Sequence, residues 1–293
     1  MYLIFAGLFY LYSALLKKYS RVKIQNIVKS SFYLTVLILA VSCSEFKRIQ
    51  KSDDWHIKYD ASMDYYNKKD YFHAATLFED IRPVVRGLPE GEKVEFYLAY
   101  CQYFEGTYLL SSTQFRTFYE TYGRSTLAQE AYFMYAYSLA VSAPAYNHDQ
   151  TSTIEAMGAM QTFLNLYPQS EFIERANEVI LTSQQKLERK GFENARLYLR
   201  MRRYDASIIA FENFKKTFPD SPYIEEIAFM KVEAEYKLAV QSFAHLQKDR
   251  YLKVINYYQE LLDTYPESKF IKVAEKYYSD SQNQLTKLKT NNS

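Results

Sequence analysis

Tyr167-Pro168-Gln169-Ser170-Glu171-Phe172-Ile173 returns as Phe218-Pro219-Asp220-Ser221-Pro222-Tyr223-Ile224 and as Tyr265-Pro266-Glu267-Ser268-Lys269-Phe270-Ile271, with a shorter copy lacking the proline at Tyr122-Gly123-Arg124-Ser125. The copies begin 45, 51 and 47 residues apart. Recurrence at such a period marks stacked supersecondary units, and stacking creates an extended binding surface rather than a catalytic pocket. Proline cannot continue a helix and turns the residue before it away from the α region, so each aromatic-Pro pair closes one helix. The Ser two residues on is placed to start the next, its hydroxyl accepting an orphan N–H of the first turn. Glu171, Glu174, Glu225 and Glu226 follow where the helix dipole favours negative charge.

Upstream of each phrase the apolar and small residues keep helical spacing. Ala195, Tyr198, Tyr204, Ser207, Phe211 and Phe214 precede Pro219. Tyr251, Val254, Tyr258 and Leu261 precede Pro266, and Thr153, Ala156, Met160 and Phe163 precede Pro168. Earlier copies read Tyr65, Tyr71, Ala74, Phe78, Ile81 and Gln102, Tyr108, Ser111, Phe115, Phe118. Small residues mark where two helices approach, and aromatics fill the adjoining layer. The pattern resembles the tetratricopeptide repeat, a helix pair. The expected fold is all-α, a superhelical solenoid of about five such hairpins over residues 55 to 290. Two units carry extra residues, near Val141 to Thr151 and Ser242 to Asp249, expected as longer helices or surface loops. Glu171 to Glu188 reads as a helix running on toward Ala195 and joining two sub-bundles, which places N-terminal units at 55–170 and C-terminal units at 171–290. Thr286 to Ser293 reads as a frayed polar tail.

At the N-terminus, Arg21, Lys23 and Lys29 precede the apolar run Ser31 to Leu39 and the small residues Ala40-Val41-Ser42 before Cys43. A basic region, a short apolar region and small residues at a cut describe a secretory signal over 1–42. The Cys that follows resembles the lipobox of bacterial lipoproteins. That resemblance implies cleavage before Cys43, its thioether lipidation, and a tether over 43–54. Ser44 rather than Asp after the Cys suggests delivery to the outer membrane. Met1 to Leu16 is a second, uncharged apolar run, read either as a start placed too early within residues 1–20 or as a short inner-membrane segment.

The formal charge is +2, but the first 42 residues hold five basic and no acidic residues, leaving 31 basic against 34 acidic in the mature part. A mildly acidic chain argues against nucleic acid, whose binders present a basic face. With Cys43 assigned to lipid, Cys101 stands alone among Tyr100, Tyr103 and Phe104, and reads as a buried thiol acting as a small apolar side chain. His56, His73, His148 and His245 have no His or Cys partner at i+3 or i+4, so no metal site is expected. Neither a phosphate-binding Gly loop nor a nucleophile elbow is present, so neither an enzyme nor a cofactor is expected. The acidic pairs Asp53-Asp54 and Glu225-Glu226 fall at helix starts, as caps do.

The 30 Tyr and 20 Phe exceed what the repeat marks need, and Tyr suits binding surfaces because it offers apolar area and a hydroxyl at low entropic cost. Counting from Tyr65, Gln102 and Leu139 places Tyr59, Tyr66, Phe96, Tyr100, Tyr103, Phe133 and Tyr137 on the inner face of the first three units. They read either as an aromatic groove for an extended peptide or as rings packed against neighbouring helices.

The start at Cys43, the stretch Tyr66-Asn-Lys-Lys-Asp-Tyr-Phe-His-Ala-Ala75, and the hairpin Tyr198-Leu-Arg-Met-Arg-Arg-Tyr204 with its aromatic-Pro-Asp-Ser end together resemble the YfiO, or BamD, family of outer-membrane protein assembly lipoproteins. The resemblance implies a non-catalytic, lipid-anchored component of the β-barrel assembly machinery on the periplasmic face of the outer membrane. Its C-terminal units would dock the periplasmic domains of the barrel-forming subunit, and its N-terminal units would take the aromatic-ended C-terminal strand of an unfolded outer-membrane protein. Two other readings stand beside it: a lipoprotein scaffolding another cell-envelope complex, and a glycan-capture lipoprotein, against which the single Trp55 counts.

Overall fold

The computed structural model describes residues 45–290, and among these the chain is helical with no strand. The leader read at 1–42, Cys43 and the last three residues lie outside the described residues. A short helical segment at 45–50 leads to α1 (Trp55–Asn67), α2 (Tyr71–Val85), α3 (Pro89–Phe104), α4 (Tyr108–Thr121), α5 (Ala128–Ser142) and α6 (Thr151–Leu166). These are followed by α7 (Ile173–Arg200), α8 (Tyr204–Thr217), α9 (Ile224–Gln241), α10 (Ala244–Thr264) and α11 (Ile271–Thr290). The chain divides into two compact units, up to Tyr135 and from Ala136. In the first, α1 packs on α2, α2 on α3 and α3 on α4, with α1 also touching α3. In the second, each helix from α6 to α11 packs on the next, and α9 touches both α7 and α11. Neighbours in pairs, with alternate helices also in contact, is the tetratricopeptide-like construction.

The repeated phrase closes one helix and opens the next in the same way four times. The aromatic N–H donates to a carbonyl four residues back: Tyr122 to Phe118, Tyr167 to Phe163, Phe218 to Phe214, Tyr265 to Leu261, at 2.7–2.9 Å. The Ser N–H then donates to that aromatic residue's own carbonyl, at 2.8 Å for Ser125 and 3.2 Å for Ser221. The Ser hydroxyl accepts the N–H two residues on, from Leu127, Phe172, Tyr223 and Phe270 at 2.9–3.3 Å. The serine therefore caps the short turn ahead of the helix rather than the helix itself, whose N-cap positions in α7 and α9 are Phe172 and Tyr223. The same hydroxyl also ties successive hairpins: Ser125 donates to Glu92, and Ser268 to Glu225 at 2.6 Å.

The turns inside the hairpins repeat as well. Lys69, Gly106 and Arg202 take φ of 62°, 79° and 58°. At each, the following N–H reaches back five residues, Asp70 to Tyr65, Thr107 to Gln102 and Arg203 to Tyr198, at 2.9–3.0 Å. This is the left-handed C-terminal cap that satisfies the last carbonyls of a helix. The hairpins with inserted residues depart from it. After α5 the insertion is a loop at 143–150, organised by the buried Gln150, whose amide donates to Ala145 and His148 carbonyls and whose oxygen accepts from Thr153. Lys190 on α7 also donates to the His148 carbonyl, at 2.6 Å. After α9 the insertion instead lengthens α10 to 21 residues.

The small marks lie where helices cross. Ala74, Ser111, Ala156 and Ser207 are fully buried, and the Ser111 hydroxyl donates to the Ala99 carbonyl on the partner helix at 2.9 Å. Phe78, Phe115, Phe118, Phe163 and Phe211 fill the layer beside them, each contributing about 1.5–3 kcal/mol by burial. The helix expected from Glu171 is one continuous α7 of 28 residues. It lies wholly within the second unit, because the division falls inside α5. The polar tail is not frayed at its start, since α11 runs on to Thr290.

A buried carboxylate on α9 breaks the apolar pattern. Glu235 on α9 is 3% exposed, and its Oε1 accepts no hydrogen bond among the described residues. Burial raises its pKa, opposed by Lys253 and Arg250 of α10 and Lys231 of α9; Arg250 Nη1 stands 3.9 Å away.

Two predictions follow from this packing. A Cβ on Gly106 meets no atom within 4 Å, so Gly106→Ala is penalised only for its left-handed backbone, by about 1–2 kcal/mol in chemical denaturation. Because the native state holds a proton on Glu235 more tightly than the unfolded chain, stability falls as pH rises through the unfolded carboxylate range toward the raised value. Glu235→Gln should flatten that slope and be more stable than the parent at neutral pH by about 1 kcal/mol, read from denaturant midpoints across pH.

Candidate functional site

The seven residues counted onto an inner face separate into three groups. Phe96 and Phe133 are 3% and 0% exposed and belong to the core, which corrects their placement in a groove. For Phe96 the cause is α4: Phe115 and Phe118 close over its ring at centroid distances of 5.8 and 5.3 Å. Tyr137 is half-buried in the second unit, under the Arg175 guanidinium at 4.8 Å from its centroid. Tyr59, Tyr66, Tyr100 and Tyr103 remain, all half-buried on α1 and α3 of the first unit.

Three of these tyrosines are held by ring contacts, while Tyr59 packs against the buried cluster of α2 and α3. Tyr66 meets Tyr97 edge-on at 4.8 Å and Tyr71 at 5.6 Å. Tyr100 meets Phe115 at 4.9 Å and Phe96 at 5.2 Å, and its hydroxyl donates to Glu130 in the first turn of α5. Tyr103 meets Tyr108 at 5.3 Å. Tyr71 stacks on Phe104 at 4.3 Å, joining the α1–α2 turn to the α3–α4 turn. Offset and edge-to-face pairs each add about 0.5–1.5 kcal/mol beyond area burial, so the surface is preformed. Burial, with Glu90 acting in the same direction, raises the Tyr59 phenol, and burial raises that of Tyr66 further. Both stay neutral at physiological pH and offer apolar area with a hydroxyl. The contribution of Tyr71 and Phe104 was not counted from the sequence because they flank the turns rather than lie on the inner helix.

In the second unit, α7 presents a charged face. Arg189, Glu193, Arg196 and Arg200 fall at helical spacing along α7. Glu193 is 13% exposed, with Arg189 at 2.7 Å, Arg196 at 3.3 Å and Arg200 at 3.9 Å. A cleft of about 360 Å³ between α7 and α9 is lined by Arg196, Arg200, Glu226, Glu233 and Lys237 among others. The spacing of these charges is visible in the sequence, but nothing in it shows that the three arginines converge on one glutamate.

Cys101 is fully buried, and burial pushes its thiol up to about 12. Among the described residues no group of three His, Cys, Asp or Glu side chains could hold a metal ion, and His73 is engaged by Asp70 at 2.8 Å. What the arrangement can do is bind: an apolar, neutral surface in one unit and a paired-charge surface in the other. No described helix is long and apolar enough to cross a membrane. Residues 53–249 match the model of the YfiO family, described as outer membrane lipoprotein. No curated protein matches the chain.

Proposed function

The chain belongs to the YfiO family of outer membrane lipoproteins, and on that premise we propose that it is a non-catalytic component of the machinery that assembles β-barrel proteins into the outer membrane. The observation that carries the reading is the family match across both units of the paired-helix scaffold, from the start of α1 into α10. In this reading Cys43 carries the lipid that holds the chain on the periplasmic face. The first unit receives the aromatic-ended C-terminal strand of an unfolded barrel protein on Tyr59, Tyr66, Tyr100 and Tyr103. The second docks the periplasmic domains of the barrel-forming subunit.

The chemistry of the two faces supports this division. An aromatic strand end supplies the apolar area that half-buried tyrosines bind, and neutral hydroxyls pair with strand backbone groups at little desolvation cost. A folded partner domain meets a face of fixed charge, where Arg189, Arg196 and Arg200 around Glu193 set orientation and suppress wrong partners. No nucleotide is needed in this scheme, since strand binding and barrel folding supply the free energy.

Two experiments test it. Tyr59→Ala combined with Tyr103→Ala should weaken calorimetric binding of a strand peptide ending in an aromatic residue by about tenfold, as expected for two anchoring rings. Its thermal midpoint should stay close to that of the parent. Tyr100 is left intact because it also braces Phe115 and Glu130. Equal affinity would remove the aromatic face from the mechanism. In gentle detergent extracts, a tag after Ser293 should recover a large barrel protein with repeated periplasmic domains in near-equal amount. Recovery of peptidoglycan or division proteins in its place would discard the assembly role.

A further inference from the structure

Part of the segment assigned to a tether, from residue 45, is folded against the first unit. Phe46 in the helical segment at 45–50 is 9% exposed, with its ring 4.2 Å from His73 and 5.8 Å from Tyr65. His73 opens α2 and Tyr65 lies near the end of α1, so the segment is pinned beside the α1–α2 turn. Cys43 precedes Phe46 by three residues, and three residues of chain reach at most about 11 Å. A lipid on Cys43 therefore enters the membrane close to this turn.

That end of the first unit has an unusual surface. Interhelix turns are ordinarily polar, yet here Phe72 is 63% exposed, Phe104 48%, Leu109 60% and Leu110 47%. The two turns lie side by side, because Tyr71 stacks on Phe104. Lys47 beside Phe46 and Lys69 in the α1–α2 turn are exposed, and among the described residues neither is in an ion pair; acidic residues on these segments include Glu45, which faces Arg48 at 4.0 Å, and Glu105. Bulky apolar side chains accompanied by unpaired lysines are what an interfacial membrane contact needs, the first entering the acyl boundary and the second facing anionic headgroups.

We propose that the α1–α2 and α3–α4 turns of the first unit rest on the phospholipid surface, with Phe72, Phe104, Leu109 and Leu110 in the interface and Lys47 and Lys69 against anionic headgroups. The bilayer is the occupant because the chain ahead of Phe46 is too short to carry the lipid elsewhere. The inference rests on the lipoprotein reading. It adds that the unit is oriented on the membrane instead of hanging from it, so that the chain has a second, reversible contact beside the acyl anchor.

The test uses the full chain extracted from membranes, carrying a fluorophore on Phe72→Cys or Leu109→Cys, with Glu79→Cys on the exposed side of α2 as the reference. Each is placed in vesicles of brominated phosphatidylcholine, with and without phosphatidylglycerol, and the mass of the N-terminal peptide is recorded. Quenching at positions 72 and 109 should exceed that at 79 by about threefold or more and rise with phosphatidylglycerol, as interfacial insertion requires. Equal quenching at the three positions, with Cys43 acylated, would overturn the oriented contact and leave the lipoprotein reading in place. An unmodified N-terminal peptide with no vesicle association would overturn both. Labels shielded in native membranes but unquenched in vesicles would overturn the proposal in favour of a protein partner on this face.

Discussion

No hairpin in this chain can bury its apolar faces alone, so the fold depends on how each is joined to the next. The joint is the serine hydroxyl three residues after the closing aromatic. At Ser125 and Ser268 it takes one bond from a backbone N–H and gives another to a glutamate in the first turn of an earlier inner helix, Glu92 or Glu225. One oxygen thus fixes both the local turn and the spacing between successive hairpins. The glutamate gains a fixed donor as well as the favourable end of its helix dipole. Register along the stack is set by these polar contacts, while the phenylalanine layer supplies the bulk of the burial.

Much of the construction was legible because the repeat writes it several times. The four aromatic phrases located the joints, and the small residues Ala74, Ser111, Ala156 and Ser207 located the crossings. The left-handed turns were hidden, since only one of the three carries Gly106; Lys69 and Arg202 occupy the same conformation without any signature in their side chains. The insertions had no single reading from spacing alone, and they resolved differently, as a loop around Gln150 in one hairpin and an extended α10 in another. The division within α5 left no mark in the sequence, because the helix crosses it without a break.

The site was legible in part for the same reason. Angular position on a helix follows from counting, but which side of that position a neighbour claims does not. Phe96 shares its helix with Tyr100 and Tyr103, yet Phe115 and Phe118 take up its ring and leave the tyrosines half open. The tyrosine hydroxyls then act as polar ends that prevent full burial, whereas a phenylalanine at the same depth has no reason to stay at the surface. The contrast between neutral rings in the first unit and the Arg–Glu network around Glu193 in the second gives the chain two chemically different surfaces, one insensitive to salt and one responsive to it.

The sealed thiol of Cys101 has a consequence for the life of the chain outside the cytoplasm. Disulfide exchange proceeds through thiolate, and a sulfur held protonated and out of reach of solvent does not attack. Oxidising enzymes can therefore engage Cys101 only while the chain is still unfolded. The order of events in export then matters: closure of the α2–α3 core around this sulfur ends its exposure, and the folded protein needs no reductase to keep it free.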